Sequence, residues 1–403
     1  MASVTGFFKR IHALFIDPPA VSKTTDNGPP LKIGILGAAN IAPNALIYPA
    51  RSHPEVEVYG VAARDIGKAE KFAKKYGIKK WYGGQDGYQE LLNDPAINAV
   101  YNPLPNGLHY EWTMKALAAG KHVLLEKPSG DTAEESRLMF ELADHKGLVL
   151  LEAFHYRRVP CQFSKLRTAS THVARFHPAI QRVKEIIDSG ELGSIKEVHA
   201  SLGFPKGFIP DGDIRLNYSL GGGALMDAGC YTLNCVRYLA SGNPTAVTSA
   251  TALRYPKDPR IDTATSADLL FPPSTPNGPP VRASIKCDLF LPNWFWFIPR
   301  PPVVSARVVC DQGTVEVLNY VMPVIYHYIT VTPNAGKKRT EKAYAFPSGK
   351  SEKGESWWST YRYQLEAFVD KVRGRTPQTW VSSEDSIANM LWIEKIYEEV
   401  RES

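Results

Sequence analysis

Three short stretches carry side chains able to do chemistry. In "LLEKPSG", Lys127 stands between Glu126 and Pro128, directly after an apolar run. That run reads as a buried strand, and open α/β sheets bind ligands beyond the carboxyl ends of their strands. In "GGGALMDAGCYTLNCVRYL", Asp227 and Tyr231 are four residues apart, on one face of a helix. Gly221, Gly222 and Gly223 before it permit close backbone approach. The third stretch, "GILGAANIA", is a glycine-containing turn between a strand and a helix, whose free N–H groups suit a pyrophosphate. Gly37 and Ala42 fit the first and third positions of G-x-G-x-x-G/A, with Asn40 and Ile41 in the loop. Ala39 replaces the second glycine, which makes the approach less close. Each stretch also has a plainer reading: an exposed lysine, a structural Asp–Tyr pair, an ordinary turn.

The elements that must hold these residues follow from periodicity. Residues 32–152 alternate short apolar runs with helical patterns: "KIGILG", "VEVYGVAA", "INAVYNP", "KHVLLEKP" and "LVLLEAF" are strands, with a helix after each of the first four. This predicts a doubly wound parallel sheet covered on both faces. From residue 177 a helix, "AIQRVKEIIDSG", leads into strands at 194–204, 246–254, 264–271, 281–291, 304–318 and 324–332, with one helix near 223–240. That is an α+β domain with a large, mainly antiparallel, open-faced sheet. Two helices follow from Tyr361, split by "RGRTPQT". The expected organisation is an extension over 1–30, a nucleotide-binding domain over 31–156, an atypical basic insertion over 157–176, and a C-terminal domain over 177–403 whose last helices pack back on the first domain. The second strand ends in "GVAARD". An acid there usually grips the ribose 2′-hydroxyl, but Arg64 precedes Asp65 and Lys68 lies one turn on. Arg64 and Lys68 can clamp a 2′-phosphate, which favours NADP(H) over NAD(H). Asp65 also suits a helix N-cap.

With "GILGAANIA", "YNPLPNGLH", "AGKHVLLEKP", "GGGALMDAGCY" and "YQLEAFVD" together, the chain resembles the Gfo/Idh/MocA oxidoreductases over most of 31–400. Tyr at 231 and "EAFHYR" are similar to the family's NADP-dependent D-xylose dehydrogenase and dimeric trans-dihydrodiol dehydrogenase branch. The resemblance implies that Lys127 orients the reacting hydroxyl and lowers the pKa of Tyr231. An isolated tyrosine, near 10, is too weak a base at neutrality. Tyr231 would then take the hydroxyl proton, and Asp227 would hold the substrate or the lysine. It also implies that Asn102, Pro103, Pro105, Asn106 and His109 line the nicotinamide side, that Glu126 sits near the cofactor ribose, and that Arg157 lies close to the substrate. The implied reaction is hydride transfer between nicotinamide and a pyranose, giving a lactone, or a vicinal trans-diol. A ligand-sensing regulator on the same fold, a glycosidase using tightly held NAD, and a reductase of another carbonyl or imine remain as alternatives. Implied partners are a small-molecule substrate and further copies of the chain, as a homodimer or higher homo-oligomer, through an open sheet face to which "PNWFWFIP" can belong, although core burial suits that run equally.

Bulk properties narrow the class. With 44% hydrophobic and 22% charged residues in 403, the chain has ample length for two cores. It has no apolar run of membrane-spanning length. The net charge of +6 invites a nucleic-acid reading, but Arg158, Lys165, Arg167 and Arg175 supply four of those charges within one acid-free stretch. No basic stripe with interleaved aromatics occurs elsewhere. Five scattered cysteines without metal-ligand spacing fit a reducing compartment, and the cytoplasm is the expected location. "MASVTGFFKRIHALFID" is a poor secretory signal and is expected to form a short helix packed on the body, before a loop.

The acid-free stretch carries one further expectation. In the family pattern "EAFHYR" runs almost directly into "FHPAI". Removing Arg158–Arg175 restores "EAFHYRFHPAIQRV", and those residues correspond to 54 nucleotides, an in-frame length. The segment is read as an intron retained in the coding sequence of a eukaryotic gene, with a genuine surface loop as the alternative. Sequencing of the transcript is expected to find messages lacking those 54 nucleotides; uniform presence of the codons would refute the intron.

Overall fold

A computed structural model of the protein describes residues 4–17, 19–154, 177–295, 297–346 and 353–402. Arg157, Cys161 and the whole Arg158–Arg175 insertion lie outside the described residues. The chain divides into two compact units, Ala2–His155 with Ser351–Ser386, and Tyr156–Lys350 with Ile387–Ser403.

The first unit is built on a six-stranded parallel sheet. Its strands are β1 (Leu31–Leu36), β2 (Val56–Ala63), β3 (Lys80–Gly83), β4 (Ala99–Asn102), β5 (His122–Leu125) and β6 (Leu150–Glu152). Their order is β3-β2-β1-β4-β5-β6. The order reverses between β1 and β4, so the loops leaving these two strands diverge and open a crevice at their carboxyl ends. Continuous apolar strands are what a sheet covered on both faces requires; Ile33, Ile35 and Leu36 of β1 are fully buried. Gly34 is needed there, because a Cβ would stand 2.7 Å from Leu91 Cδ2. β3 and the helix Gly87–Asn93 were not expected from sequence. Three glycines within residues 83–87 interrupt the local period and hide both.

The N-terminal helix forms as expected, over Val4–Ile11, and runs on through His12–Ile16. Phe8 and Ile16 nonetheless stay 63% and 70% exposed, so much of its apolar surface is uncovered. The loop after it is laced to the first βα unit: Lys23 Nζ donates to the Ala50 and His53 carbonyls at 2.8 and 2.9 Å. The helix Thr360–Val372 also belongs to this unit. His53 Nε2 meets Glu366 Oε2 at 3.2 Å, Arg362 Nε donates to Ser52 Oγ at 3.1 Å, and Arg375 bridges Glu55 and Asp370 at 2.6 Å each. These pairs are mostly buried, so each group depends on its partner to offset the loss of water.

The second unit carries an eight-stranded sheet. Its strands are β7 (Ile195–Pro205), β8 (Ala246–Tyr255), β9 (Asp258–Phe271), β10 (Val281–Leu291), β11 (Val303–Cys310), β12 (Gly313–Leu318), β13 (Tyr328–Pro333) and β14 (Arg339–Glu341). The order is β14-β13-β12-β11-β7-β10-β9-β8, antiparallel except between β7 and β10. The expected single strand at 304–318 is the hairpin β11–β12, turned at Asp311 and Gln312. Alternation sets one apolar face. Val198, Ala200 and Leu202 on β7 and Ala283, Ile285 and Cys287 on β10 are buried there, against the helix Cys230–Leu239. The aromatic run after β10 is not core: Trp294, Phe295 and Phe297 are 48%, 75% and 64% exposed. Cys230, Cys235, Cys287 and Cys310 are buried free thiols. Among the described residues no helix is long and apolar enough to cross a membrane.

Candidate active site

In the first unit the loop after β1 turns on Gly37, whose φ of +102° lies in the region that favours glycine. A Cβ there would also stand 3.1 Å from Leu104 Cδ2. Ala39 N–H donates to the Gly37 carbonyl at 2.8 Å, whereas no described residue accepts the N–H groups of Asn40 or Ile41. Both residues are exposed, just ahead of the helical stretch that begins at Pro43. Two unengaged amides and a close-turning glycine form a concavity that suits a pyrophosphate. At the end of β2, Asp65 caps the helix Ile66–Tyr76, its Oδ1 accepting from Lys68 N–H at 2.6 Å. The acid at this strand end is therefore consumed as the N-cap. Arg64 and Lys68 are both exposed, and neither has an ion-pair partner among the described residues.

The loop after β4 is held from beneath. Asn102 is fully buried; its Nδ2 donates to Thr113 Oγ1 at 3.1 Å, and its Oδ1 accepts from Leu104 N–H at 3.3 Å. His109 is fully buried as well, with Nδ1 2.7 Å from the Pro128 carbonyl and Nε2 2.7 Å from that of Leu104. The ring thus sits between the loop after β4 and the peptide following Lys127, and as a neutral imidazole it donates to one of the two carbonyls. Asn102 and His109 shape the crevice with their side chains turned into the protein. Pro103 is buried beside them, with Pro105 and Asn106 half-buried. Tyr101 OH donates to Glu126 Oε1 at 2.7 Å, fixing Glu126 from the neighbouring strand. Lys127 follows, half-buried.

In the second unit the helix carrying Asp227 and Tyr231 opens with one wide π turn, Leu225–Gly229, before the α-helix Cys230–Leu239. A uniform α-helix was expected; π turns recur at functional sites because they re-aim side chains. Tyr231 is 7% exposed. Two of the three glycines have specific causes. Gly222 N–H donates to the Asn217 carbonyl and Gly223 N–H to that of Arg215, each at 3.0 Å. A Cβ on Gly222 would lie 2.6 Å from the Arg215 oxygen, and one on Gly223 would lie 2.4 Å from Asp262 Oδ1. The turn so formed delivers Arg215, whose Nε donates to Asp227 Oδ2 at 2.7 Å. Arg215 Nη1 also donates to Asp213 Oδ1 at 3.0 Å. The Asp227 charge, with Asp213 beside it, raises the arginine's already high pKa, so the guanidinium is permanently charged. Asp262 anchors the helix start: its Oδ2 accepts from Leu225 N–H at 2.8 Å and Thr265 Oγ1 at 2.6 Å, its Oδ1 from Tyr397 OH at 2.8 Å.

Sequence reading missed Arg215, Asp213 and Asp262. The "DIR" spacing is a weak local signal for the first two. No local pattern announces a partnership between Asp262 and Tyr397, 135 residues apart.

Comparison with known proteins shows the family and the fold. Residues 31–154 match the Gfo/Idh/MocA oxidoreductase family, NAD-binding Rossmann fold, and residues 180–316 match the Gfo/Idh/MocA C-terminal domain. The chain is 33% identical over 371 residues to a D-xylose 1-dehydrogenase (NADP(+)) of Haloferax volcanii, covering 91% of this chain and 97% of that enzyme. It is 38% identical over 213 residues to a dTDP-3,4-didehydro-2,6-dideoxy-alpha-D-glucose 3-reductase of Saccharopolyspora spinosa, covering 53% of this chain and 57% of the other. A solved 3-ketoreductase, KijD10 of Actinomadura kijaniata, shares the fold with a TM-score of 0.72 at 24% identity, over 92% of this chain and 98% of its own.

His109 gives the site a pH dependence. Burial, with the Lys127 charge adding to it, pushes the pKa of His109 down to about 4. Unfolded, it titrates near 6.5. The unfolded chain therefore binds more protons between these values. The stability that the neutral ring contributes, on the order of 3 kcal/mol, is full above pH 6.5 and is lost as pH falls toward 4. The thermal midpoint of the wild type is expected to drop over this window more steeply than that of His109→Gln. Parallel curves would show that His109 does not titrate as described.

Proposed function

This chain belongs to the Gfo/Idh/MocA family and is an NAD(P)-dependent oxidoreductase, and we propose that it is an NADP-dependent dehydrogenase of a pyranose or vicinal trans-diol. The observation that carries the cofactor preference is the end of β2, where Asp65 is spent on the helix cap and two cations, Arg64 and Lys68, have no ion-pair partner among the described residues. A cation pair there suits a 2′-phosphate, whereas NAD(H) would call for a free acid. The substrate reading is supported by similarity to the Haloferax enzyme along almost the whole of both chains.

The residues divide the work. Gly37 and the amides of Asn40 and Ile41 hold the pyrophosphate, and Arg64 and Lys68 hold the 2′-phosphate. The loop from Asn102 to His109 and the fixed Glu126 shape the nicotinamide and ribose side. NADP+, when bound, supplies the hydride acceptor for oxidation of the substrate carbon. Lys127 orients the reacting hydroxyl and, as an ammonium, favours the ionised form of Tyr231. Tyr231 takes the hydroxyl proton as the carbonyl forms. Asp227, paired with Arg215, holds the substrate or the lysine. A second reading, reduction of a keto-sugar nucleotide, is favoured by the higher identity to the Saccharopolyspora 3-reductase over about half the chain. It would run the same proton step in reverse.

The test is nicotinamide absorbance with NADP+ or NAD+ against aldoses, polyols and trans-diols, and with NADPH against 3-keto sugar nucleotides. NADP+-dependent oxidation is expected, with kcat lowered about 10²–10⁴-fold in Lys127→Met and Tyr231→Phe. Absence of any turnover, or Lys127→Met equal to wild type, would sink the dehydrogenase. Arg64→Ala is expected to raise the KM for NADP+ roughly tenfold, the effect of losing one charge-assisted contact, while leaving that for NAD+ unchanged.

A further inference from the structure

The N-terminal helix is built inside out. Along Val4–Ile11 and the wider turn His12–Ile16 that continues it, the arginine, Arg10, is only 6% exposed. The outward side instead carries Val4, Phe8, Phe15 and Ile16, which are 74%, 63%, 38% and 70% exposed. Val4 and Phe8, four residues apart, share one face. The Phe8 ring lies edge-on to that of the half-buried Phe7, with centroids 5.5 Å apart, so a partly covered neighbour holds it outward. Lys9 and His12 are exposed beside this face, and the first acid in the chain is Asp17. A helix on the surface of a globular fold ordinarily turns its polar side outward. The chain that follows is moored: Val21 N–H donates to the Arg51 carbonyl at 3.2 Å, and Lys23 Nζ to the carbonyls of Ala50 and His53. The helix is thereby tethered to folded chain within a few residues of its end.

Size and charge decide what covers this face. The helical stretch is about 20 Å long and about 10 Å across, so one face offers on the order of 200 Å². A stable protein partner, a second copy included, needs about 800 Å² from each side. A bilayer sets no such minimum, because its surface moulds to a single helix. The charge is one-sided: Lys9 and His12 flank the apolar stripe, and no acid occurs before Asp17. A narrow apolar stripe edged by cations is the pattern of a helix lying in the interface of an anionic bilayer. The rings enter the acyl boundary, and the lysine stays among the headgroups.

We propose that the outward face of the N-terminal helix is a peripheral membrane anchor that docks the protein on a bilayer carrying anionic phospholipid. It concerns docking alone and does not rest on the oxidoreductase reading. A single short helix gives weak, reversible binding. The full chain is mixed with vesicles of phosphatidylcholine alone, or of phosphatidylcholine and phosphatidylserine at four to one, and the bound fraction is read by co-sedimentation. Reversible binding to the mixed vesicles is expected, with weaker binding to the neutral ones. Phe8→Asp and Ile16→Asp are each expected to weaken it about tenfold or more, the effect of withdrawing one large apolar side chain from the bilayer. Lys9→Glu should weaken binding to the mixed vesicles about fivefold or more and leave binding to neutral vesicles within about twofold of wild type. Thermal midpoints equal to wild type check that the variants keep the fold. No sedimentation with the mixed vesicles, equal binding to both kinds, or binding unchanged in both Phe8→Asp and Ile16→Asp would each overturn the proposal. So would a dimer, seen by sedimentation velocity without lipid, that Phe8→Asp converts to monomer, because the face would then cover a second copy.

Discussion

Asp262 is a carboxylate with 1% of its surface exposed and three hydrogen-bond donors converging on it. A buried acid is costly unless its lone pairs are filled. Here the donors come from three places: Thr265 on the same strand, Tyr397 on the last helix, and the Leu225 amide at the start of the helix bearing Asp227 and Tyr231. Burial, reinforced by the Asp262 charge, raises the pKa of Tyr397 far above its ordinary value, so it acts only as a neutral donor. One buried charge thereby gathers a strand, the last helix and the functional helix. Gly223 exists to let backbone pass this carboxylate, and Gly222 folds the preceding turn so that Arg215 reaches Asp227.

The first unit solves its positioning problem by other means. Its strands are held mainly by continuous apolar faces and covering helices. Polar groups appear where loops leave the sheet. His109 spans two carbonyls, Asn102 supports Leu104, and Tyr101 holds Glu126. These side chains sit under the crevice and give the loops after β4 and β5 a single arrangement. On the far side of the same unit, the pairs around Glu366 and Arg375 bind the helix Thr360–Val372 to the first βα unit.

The charged groups of the two units differ in how they are engaged. Asp65 satisfies a helix end, and Arg64 and Lys68 stay exposed without an ion-pair partner among the described residues. Arg215 is the reverse case: its guanidinium is paired with both Asp213 and Asp227.

Much of this was legible in the sequence, for a local reason. Apolar periods of two and near four residues, punctuated by glycine and proline, located nearly every strand and helix, and strand ends marked Gly37, Arg64 and Lys127. Where glycines broke the period, β3 and the helix after it were lost from view. Partnerships could not be read. Whether His109 faces a ligand or two carbonyls depends on how strands stack, and whether Asp65 is a ligand or a cap depends on one backbone amide. Asp227 finding Arg215 twelve residues upstream, and Asp262 finding Tyr397 135 residues downstream, follow only from folding. The sequence by itself determined the order of elements and the chemistry available at their ends, because these rest on short-range pattern. The tertiary structure decided which of those groups are free and which are spent, because hydrogen-bond partners are set by proximity in space.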